Sequence, residues 1–300
     1  MPELPFVTVV KENLTSLIVG RRVEDVIVRG VSVLKTFDPP ITSLRGREAV
    51  AVRRRGKLVL LDFAGNLTLV IHLRRNGRLR TAPRGKGRTA RDLALVLAFD
   101  RGLDLQMIEM GPKKAASAWL FPADRLDAAE PRGRGTSPRD ALASPLIGLG
   151  IEPLSGEWTE DALAAALRAA RMRLKAFLTT QRYVVGIGNT YADEILWEAR
   201  LSPQAMTTAL DGEEIARLHG AVVSTLERGI EAHRTAAAGG LPMKEPLAEL
   251  AVHRKGGEPC PRCGTPIAVI YYEDRETYYC PTCQAEGKVY ADRRRSRLLR

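Results

Sequence analysis

All four cysteines of this 300-residue chain lie between Cys260 and Cys283, as the pairs CPRC (260–263) and CPTC (280–283). No other feature confines the backbone so tightly. Two C-x-x-C knuckles with 16 residues between them can bring four thiolates to the corners of a tetrahedron, which obliges the intervening chain to double back. That stretch contains VIYYEDRETYY, which alternates as a hairpin would, with EDRE at its turn. Gly264 can supply the tight turn after the first knuckle. In a reducing compartment such a cluster reads as a metal site, with a disulfide or redox pair as the alternative. The expectation is a zinc ribbon in which Cys260, Cys263, Cys280 and Cys283 hold one structural Zn2+, because four thiolates leave no coordination position open for chemistry.

The remainder divides by periodicity. VEDVIV (23–28), EAVAVR (48–53), KLVLLDF (57–63), LTLVIHL (67–73) and DLALVLAF (92–99) read as short strands separated by turn signals such as Ala64-Gly65-Asn66 and Asp100-Arg101-Gly102, which suggests a sandwich or barrel. Val7–Leu17 can form a helix packed on that sheet. PADRLDAAEPRGRGTSPRD has the composition of a linker. Beyond residue 153 the period becomes helical, with Thr159 placed to cap one helix and Asp211 with Glu214 placed as a capping box for another. The boundaries expected are 1–125 for a β domain, 126–152 for a linker, 153–248 for a helical domain, 249–285 for a zinc finger and 286–300 for a basic tail.

A net charge of +11 opposes compaction and favours a polyanionic partner, nucleic acid before membrane, with a plain basic surface as the alternative. No run of 18 apolar residues is present and the first 20 residues do not read as a signal peptide, so a cytoplasmic protein without a membrane partner is expected. VVGIGNTYADEIL (184–196) sets a Gly-x-Gly-Asn turn before a helix, where backbone N–H groups and Asn189 can hold one phosphate, although a simple helix–turn–helix corner would look the same. The chain opens MPELP, and removal of Met1 would leave Pro2 a free secondary amine beside Glu3. An α-amine titrates near ~8, so much of it is nucleophilic at neutral pH, whereas a lysine near ~10.4 is mostly protonated.

MPELP, VVGIGNTYADEIL and GEPCPRCGTPI…RETYYCPTCQ, in this order, resemble the formamidopyrimidine-DNA glycosylase/endonuclease VIII family; RRGKLVLLDF (54–63) and IHLRRNGRLR (71–80) match its N-terminal domain. The resemblance covers nearly the whole chain. It implies an α+β protein, with an N-terminal β-sandwich and flanking helix followed by a helix–two-turns–helix domain and the zinc finger. It implies a bifunctional DNA glycosylase/AP lyase of base-excision repair, acting as a monomer on double-stranded DNA with damaged bases or abasic sites, and placed at the nucleoid. In the family's pattern Pro2 is the Schiff-base nucleophile, Glu3 the proton donor that opens the deoxyribose, Lys57 the β-elimination donor and Arg275 the δ-elimination donor. Asn189 and His72 match phosphate contacts, and Arg171 and Lys175 match basic positions before the glycine loop more loosely. Read by position alone, His72 is a strand-end histidine, and Lys175 and Arg275 are solvated charges.

The chain departs from the family at the damage-reading positions. Phe6 and Thr8 replace two acids of P-E-L-P-E-V-E, and Arg75 replaces the gap-filling methionine of H-L-x-M-x-G. GPKKAASAW (111–119) stands where D-P-R-R-F-G is usual, and TAAAGGLPMKEPLAEL shows no counterpart of the lid common in oxidised-purine enzymes. Arg75 is expected to stabilise the opened base stack by stacking or by bonding the orphan base, with Arg74 pointing the other way along the strand. A non-catalytic damage-binding protein on this scaffold and a zinc-ribbon nucleic-acid-binding protein are the alternative functions. Pro2 with Glu3 argues against the first, and MPELP with the glycine loop against the second.

Overall fold

The computed structural model of the protein describes residues 2–126, 145–272 and 275–290, and for Val31, Tyr272 and Arg275 the backbone only. Most of the expected linker (127–144) and most of the basic tail (291–300) lie outside the described residues. Two compact units are present, one formed by residues 1–148 and 233–245, the other by 149–232 and 246–300.

The first unit begins with helix α1 (Leu4–Ile18), whose N-cap is Glu3 and whose first turn contains Pro5, a residue tolerated there because the first helical N–H groups need no intrahelical acceptor. Eight strands follow: β1 (Val23–Val28), β2 (Ala49–Arg55), β3 (Leu58–Phe63), β4 (Leu67–His72), β5 (Gly77–Pro83), β6 (Leu93–Phe99), β7 (Leu103–Glu109) and β8 (Ser117–Pro122). They pair antiparallel in two sheets of order β1-β6-β7-β5 and β2-β3-β4-β8. Phe6, Val10 and Leu14 of α1 share one core with Leu61 and Ile71 from one sheet and Leu97 and Met107 from the other, so the unit is a sandwich with a helix packed on it.

The second unit carries α2 (Glu160–Ala170), α3 (Leu174–Thr179), α4 (Asn189–Glu198) and the start of α5 (Gly212–Ala237). Thr159 Oγ1 accepts from Ala162 N at 3.2 Å. Asp211 and Glu214 exchange side-chain bonds with each other's backbone N–H at 2.8 and 3.2 Å, so both expected caps are formed. The finger follows as β9 (Ala268–Tyr272), β10 (Arg275–Tyr279) and the short α6 (Pro281–Ala285). Among the described residues no helix is long and apolar enough to cross a membrane.

Candidate active site and zinc finger

In the first unit, three sequence-predicted residues converge on the ends of neighbouring elements. Glu3 is 2 % exposed at the head of α1, directly after the buried Pro2. Gly56 and Lys57 form the two-residue link between β2 and β3, with Arg55 and Leu58 as the closing pair. Gly56 has φ +54, a conformation that costs glycine nothing. That turn holds the Lys57 side chain in the interior. Burial drives its pKa below the ordinary lysine value, while the carboxylate of Glu3 pulls the other way. A lysine shifted in this direction gives up its proton more readily than a solvated one.

His72 ends β4 and pairs with Leu58 on one side and Ser117 on the other, one residue from Lys57 across the sheet. Burial, with Arg74 and Lys57 nearby, pushes its pKa down to about 3. It is therefore neutral at physiological pH, and its buried Nε2 has no hydrogen-bond partner among the described residues. A phosphate contact through this ring is a neutral hydrogen bond, not an ion pair. Arg74 and Arg75 follow in the turn that joins β4 to β5, and both are exposed. Arg74 has φ +55, so the strand alternation expected to send the two side chains in opposite directions does not apply there.

In the second unit Asn189 opens α4, behind the N-cap Gly188. The position is at the N-terminal end of the helix macrodipole, which favours an anion. Gln181, not foreseen from sequence, braces the glycine loop: its Oε1 accepts from Gly186 N at 2.9 Å and its Nε2 donates to Ile187 O at 2.8 Å. Arg171 is the exposed C-cap of α2, with a left-handed backbone.

Lys175, matched loosely to a basic position before the glycine loop, is engaged within the protein. It is 8 % exposed, pairs with Asp193 Oδ1 at 2.7 Å and donates to Glu276 O at 2.6 Å and Thr277 Oγ1 at 3.0 Å. Two of its donors go to β10, and the ion pair with Asp193 fastens α3 to α4. Asp193 and Glu194 were likewise missed. Asp193 receives His253 Nδ1 at 2.7 Å, and Glu194 accepts the backbone N–H groups of Ala251, Val252 and His253 at 2.7–2.9 Å. Two buried acids in the helix DEIL therefore anchor the segment leading to the cysteines. Two adjacent acids beside Ile and Leu, on a helix that must be buried, were the available signal.

The four cysteine sulfurs lie within 4.8 Å of one another. Cys260 and Cys283 are 4.0 Å apart and Cys263 and Cys280 3.4 Å. Zn–S bonds of about 2.3 Å at tetrahedral angles require S···S near ~3.8 Å, so the cage fits zinc. Donors around the sulfurs fit thiolates: Trp197 Nε1 points to Cys260 Sγ at 3.4 Å and Cys283 N to Cys280 Sγ at 3.4 Å. Four protein ligands make the ion structural. Arg275 pairs in backbone register with Tyr272, next to the hairpin tip, while its side chain and the tip residues 273–274 lie outside the described residues.

Comparison with known proteins gives this arrangement its class. Residues 1–110 match the formamidopyrimidine-DNA glycosylase N-terminal domain, 149–238 the formamidopyrimidine-DNA glycosylase H2TH domain, and 257–285 the zinc finger found in FPG and IleRS. Together these define a zinc-finger DNA glycosylase of the helix–two-turns–helix type. The formamidopyrimidine-DNA glycosylase of Pelotomaculum thermopropionicum is 32% identical over 95% of this chain and 99% of its own length. That of Symbiobacterium thermophilum is 35% identical over 98% and 93%. The Lactococcus lactis Fpg in complex with DNA containing an abasic site superposes with a TM-score of 0.80 at 26% identity, over 94% of this chain and 99% of that one. The chain belongs to the formamidopyrimidine-DNA glycosylase family. It is accordingly a DNA glycosylase/AP lyase of base-excision repair with one structural zinc ion, and the non-catalytic and zinc-ribbon alternatives fall away.

Proposed function

We propose that the chain removes a damaged base from duplex DNA and nicks the resulting abasic strand, with Pro2 as the nucleophile once Met1 is removed. The amine attacks C1′, the bond from C1′ to the base breaks, and Glu3 donates the proton that opens the sugar ring. The resulting iminium acidifies the C2′ proton. Its loss breaks the bond from C3′ to the 3′ phosphate, and a second elimination breaks the bond from C5′ to the 5′ phosphate. Lys57 serves the first elimination and Arg275 the second. His72, Asn189 and Arg171 hold phosphates, and the work is done on nucleoid DNA in the cytoplasm. One observation carries this reading: the desolvated Lys57 faces Glu3 at the head of α1, one residue after Pro2.

The substrate supported most directly is the abasic site. Solved Lactococcus lactis Fpg complexes contain an abasic site, Fapy-dG or an oxidised pyrimidine, whereas the damage-reading positions here are altered. The decisive experiment blocks the amine. Borohydride should trap the native protein covalently on abasic duplex, and an uncleaved N-terminal tag should abolish both trapping and nicking. Undiminished trapping by the tagged protein would remove Pro2 from the mechanism. Running the same assay over duplexes with single defined lesions, with base release and strand scission scored separately, identifies the base it removes.

A further inference from the structure

We infer that Arg78 is a positioning residue for the Pro2 amine: through Phe6 it fixes the first turn of α1, and it ties that turn to the segment 238–245 that follows α5. That role presupposes the proposed Schiff-base reading, since an amine that must attack one carbon atom is sensitive to where its helix stands.

Pro2 and Glu3 precede α1, so the amine takes its place from the first turn of that helix. Val7 N donates to Glu3 O at 3.0 Å, and Leu4, Phe6 and Val7 are fully buried. At position 6 the chain departs from P-E-L-P-E-V-E, and an aromatic ring stands where an acid is usual. That ring has two polar neighbours. The Arg78 guanidinium carbon is 5.0 Å from its centroid, and the His233 ring meets it edge-on at 5.7 Å and 83°. Both arrangements are attractive ones for an aromatic face.

Arg78 is itself held by two segments. Its Nη1 donates to Gly77 O at 2.7 Å and to Arg75 O at 3.2 Å. Its Nε donates to Met243 O at 3.0 Å, and its Nη2 stands 4.0 Å from Glu245 Oε1. Glu245 also meets the other neighbour of Phe6, with Oε2 3.1 Å from His233 Nε2. One carboxylate therefore faces both partners of the Phe6 ring. The same stretch is fastened further along α1: Arg234 pairs with Glu12 at 2.7 Å, and Asn13 Nδ2 donates to Gly240 O. Leu241 packs against the sandwich core. All of these residues belong to the first unit.

A buried cation costs more than an apolar side chain that fills the same space. Arg78 is 9% exposed, and burial lowers its pKa while Glu245 opposes that shift. What the guanidinium adds is a rigid planar fork. Its donors reach the turn after β4 and the segment 243–245 while its carbon lies over Phe6. Arg78 is thus a joint between the helix that presents the amine and the turn that follows His72. Lysine would keep the charge and lose the fork.

The test uses the full-length zinc protein with Met1 removed. Two quantities are measured apart: affinity for a duplex carrying a tetrahydrofuran analogue, which forms no iminium, and the single-turnover rate of borohydride trapping on an abasic duplex at saturating protein. Arg78→Lys should slow trapping about 100-fold, the order expected for a reacting atom displaced by ~1 Å, with affinity within about 3-fold of native. Phe6→Leu keeps an apolar side chain without the ring and should slow trapping about 10-fold. The double variant should be no slower than Arg78→Lys alone, because both changes break one chain of contacts. Trapping at the native rate in Arg78→Lys would overturn the assignment. Equal losses of rate and affinity would overturn it too, since they mark a general loosening of the fold, as would a double variant slowed by the product of the two single effects. Failure of the native protein to trap strikes the proposed function instead. Hydrogen exchange at the Val7 amide then still judges Arg78: faster exchange in Arg78→Lys, with β3 and β4 unchanged, is expected, and unchanged exchange at Val7 refutes the hold on α1.

Discussion

At the scale of single residues, burial does the chemical tuning. Lys57 and His72 are neighbours across β3 and β4, and desolvation lowers the pKa of both. For Lys57 the consequence is a weaker hold on its proton than a solvated lysine has. For His72 the consequence is also a stability dependence. The folded ring titrates at about 3, against 6.5 when unperturbed, so between those values the unfolded chain binds a proton that the folded chain refuses. Stability contributed by the neutral ring is complete above pH 6.5 and is lost as pH falls toward 3, at up to ~1.4 kcal/mol per pH unit. His72→Gln keeps a neutral polar side chain and removes the titration. Urea unfolding at pH 7 and pH 5 should therefore show a larger loss for the native protein than for the variant; equal losses would mean that the ring is already solvated. Some residues of the site could be read directly from sequence and others could not, for the same physical reason. Pro2, Glu3 and the cysteines are recognisable because their chemistry depends on local order along the chain. Lys175 looked like a solvated helix charge or a phosphate contact because its acceptors, Asp193, Glu276 and Thr277, are supplied by elements distant in sequence.

At the scale of elements, the zinc finger is secured to α4 by more than its metal. Glu194 accepts three successive backbone N–H groups of the segment 251–253, and Trp197 both bonds Cys260 and lies under Arg262, whose guanidinium carbon is 4.0 Å from the ring centroid. Cys283→Ser or chelation should release the ion and disorder β9 and β10, because the cage draws its ligands from both sides of that hairpin. α4 should survive, held by its own burial. Zinc analysis with hydrogen exchange checks this: fast exchange confined to the finger is expected, together with weakened DNA binding, and full DNA affinity in a metal-free protein would contradict it. Strands were legible where apolar residues run unbroken, as in β3, β4 and β6. β5 and β7 were overlooked because their buried positions hold polar residues with internal partners. Arg78 of β5 donates to Met243 O and lies over the ring of Phe6, while Asp104 of β7 receives two bonds from Arg88 and Gln106 receives Arg80. Leu79, Leu105 and Met107 face the core, but a strand whose opposite face carries buried, satisfied charges does not look like a strand in sequence.

At the scale of the whole molecule, the governing quantity is the net charge of +11. Part of the positive charge is neutralised internally: Arg45 pairs with Asp25, Arg53 with Asp62, Arg88 with Asp104, Arg228 with Glu198 and Arg234 with Glu12. The excess beyond such pairs has no protein partner in the balance, and on DNA it displaces condensed counterions. Binding to undamaged duplex should therefore fall steeply with salt, by about 10³- to 10⁵-fold between 50 and 200 mM if 6 to 10 phosphates are engaged. Damage readout adds a different kind of energy. Stacking and hydrogen bonds to base edges release no counterions, and neither does a phosphate bond from neutral His72. On a log–log plot, affinity for an abasic-analogue duplex should run parallel to that for undamaged DNA, displaced upward by a constant factor. His72→Ala should lower the line without changing its slope, whereas Arg171→Ala should reduce the slope by about one phosphate. Fluorescence anisotropy across a salt series measures both lines. Convergence of the two lines as salt rises would mean that damage is read by additional ion pairs, and that stacking and neutral hydrogen bonds do not carry the discrimination.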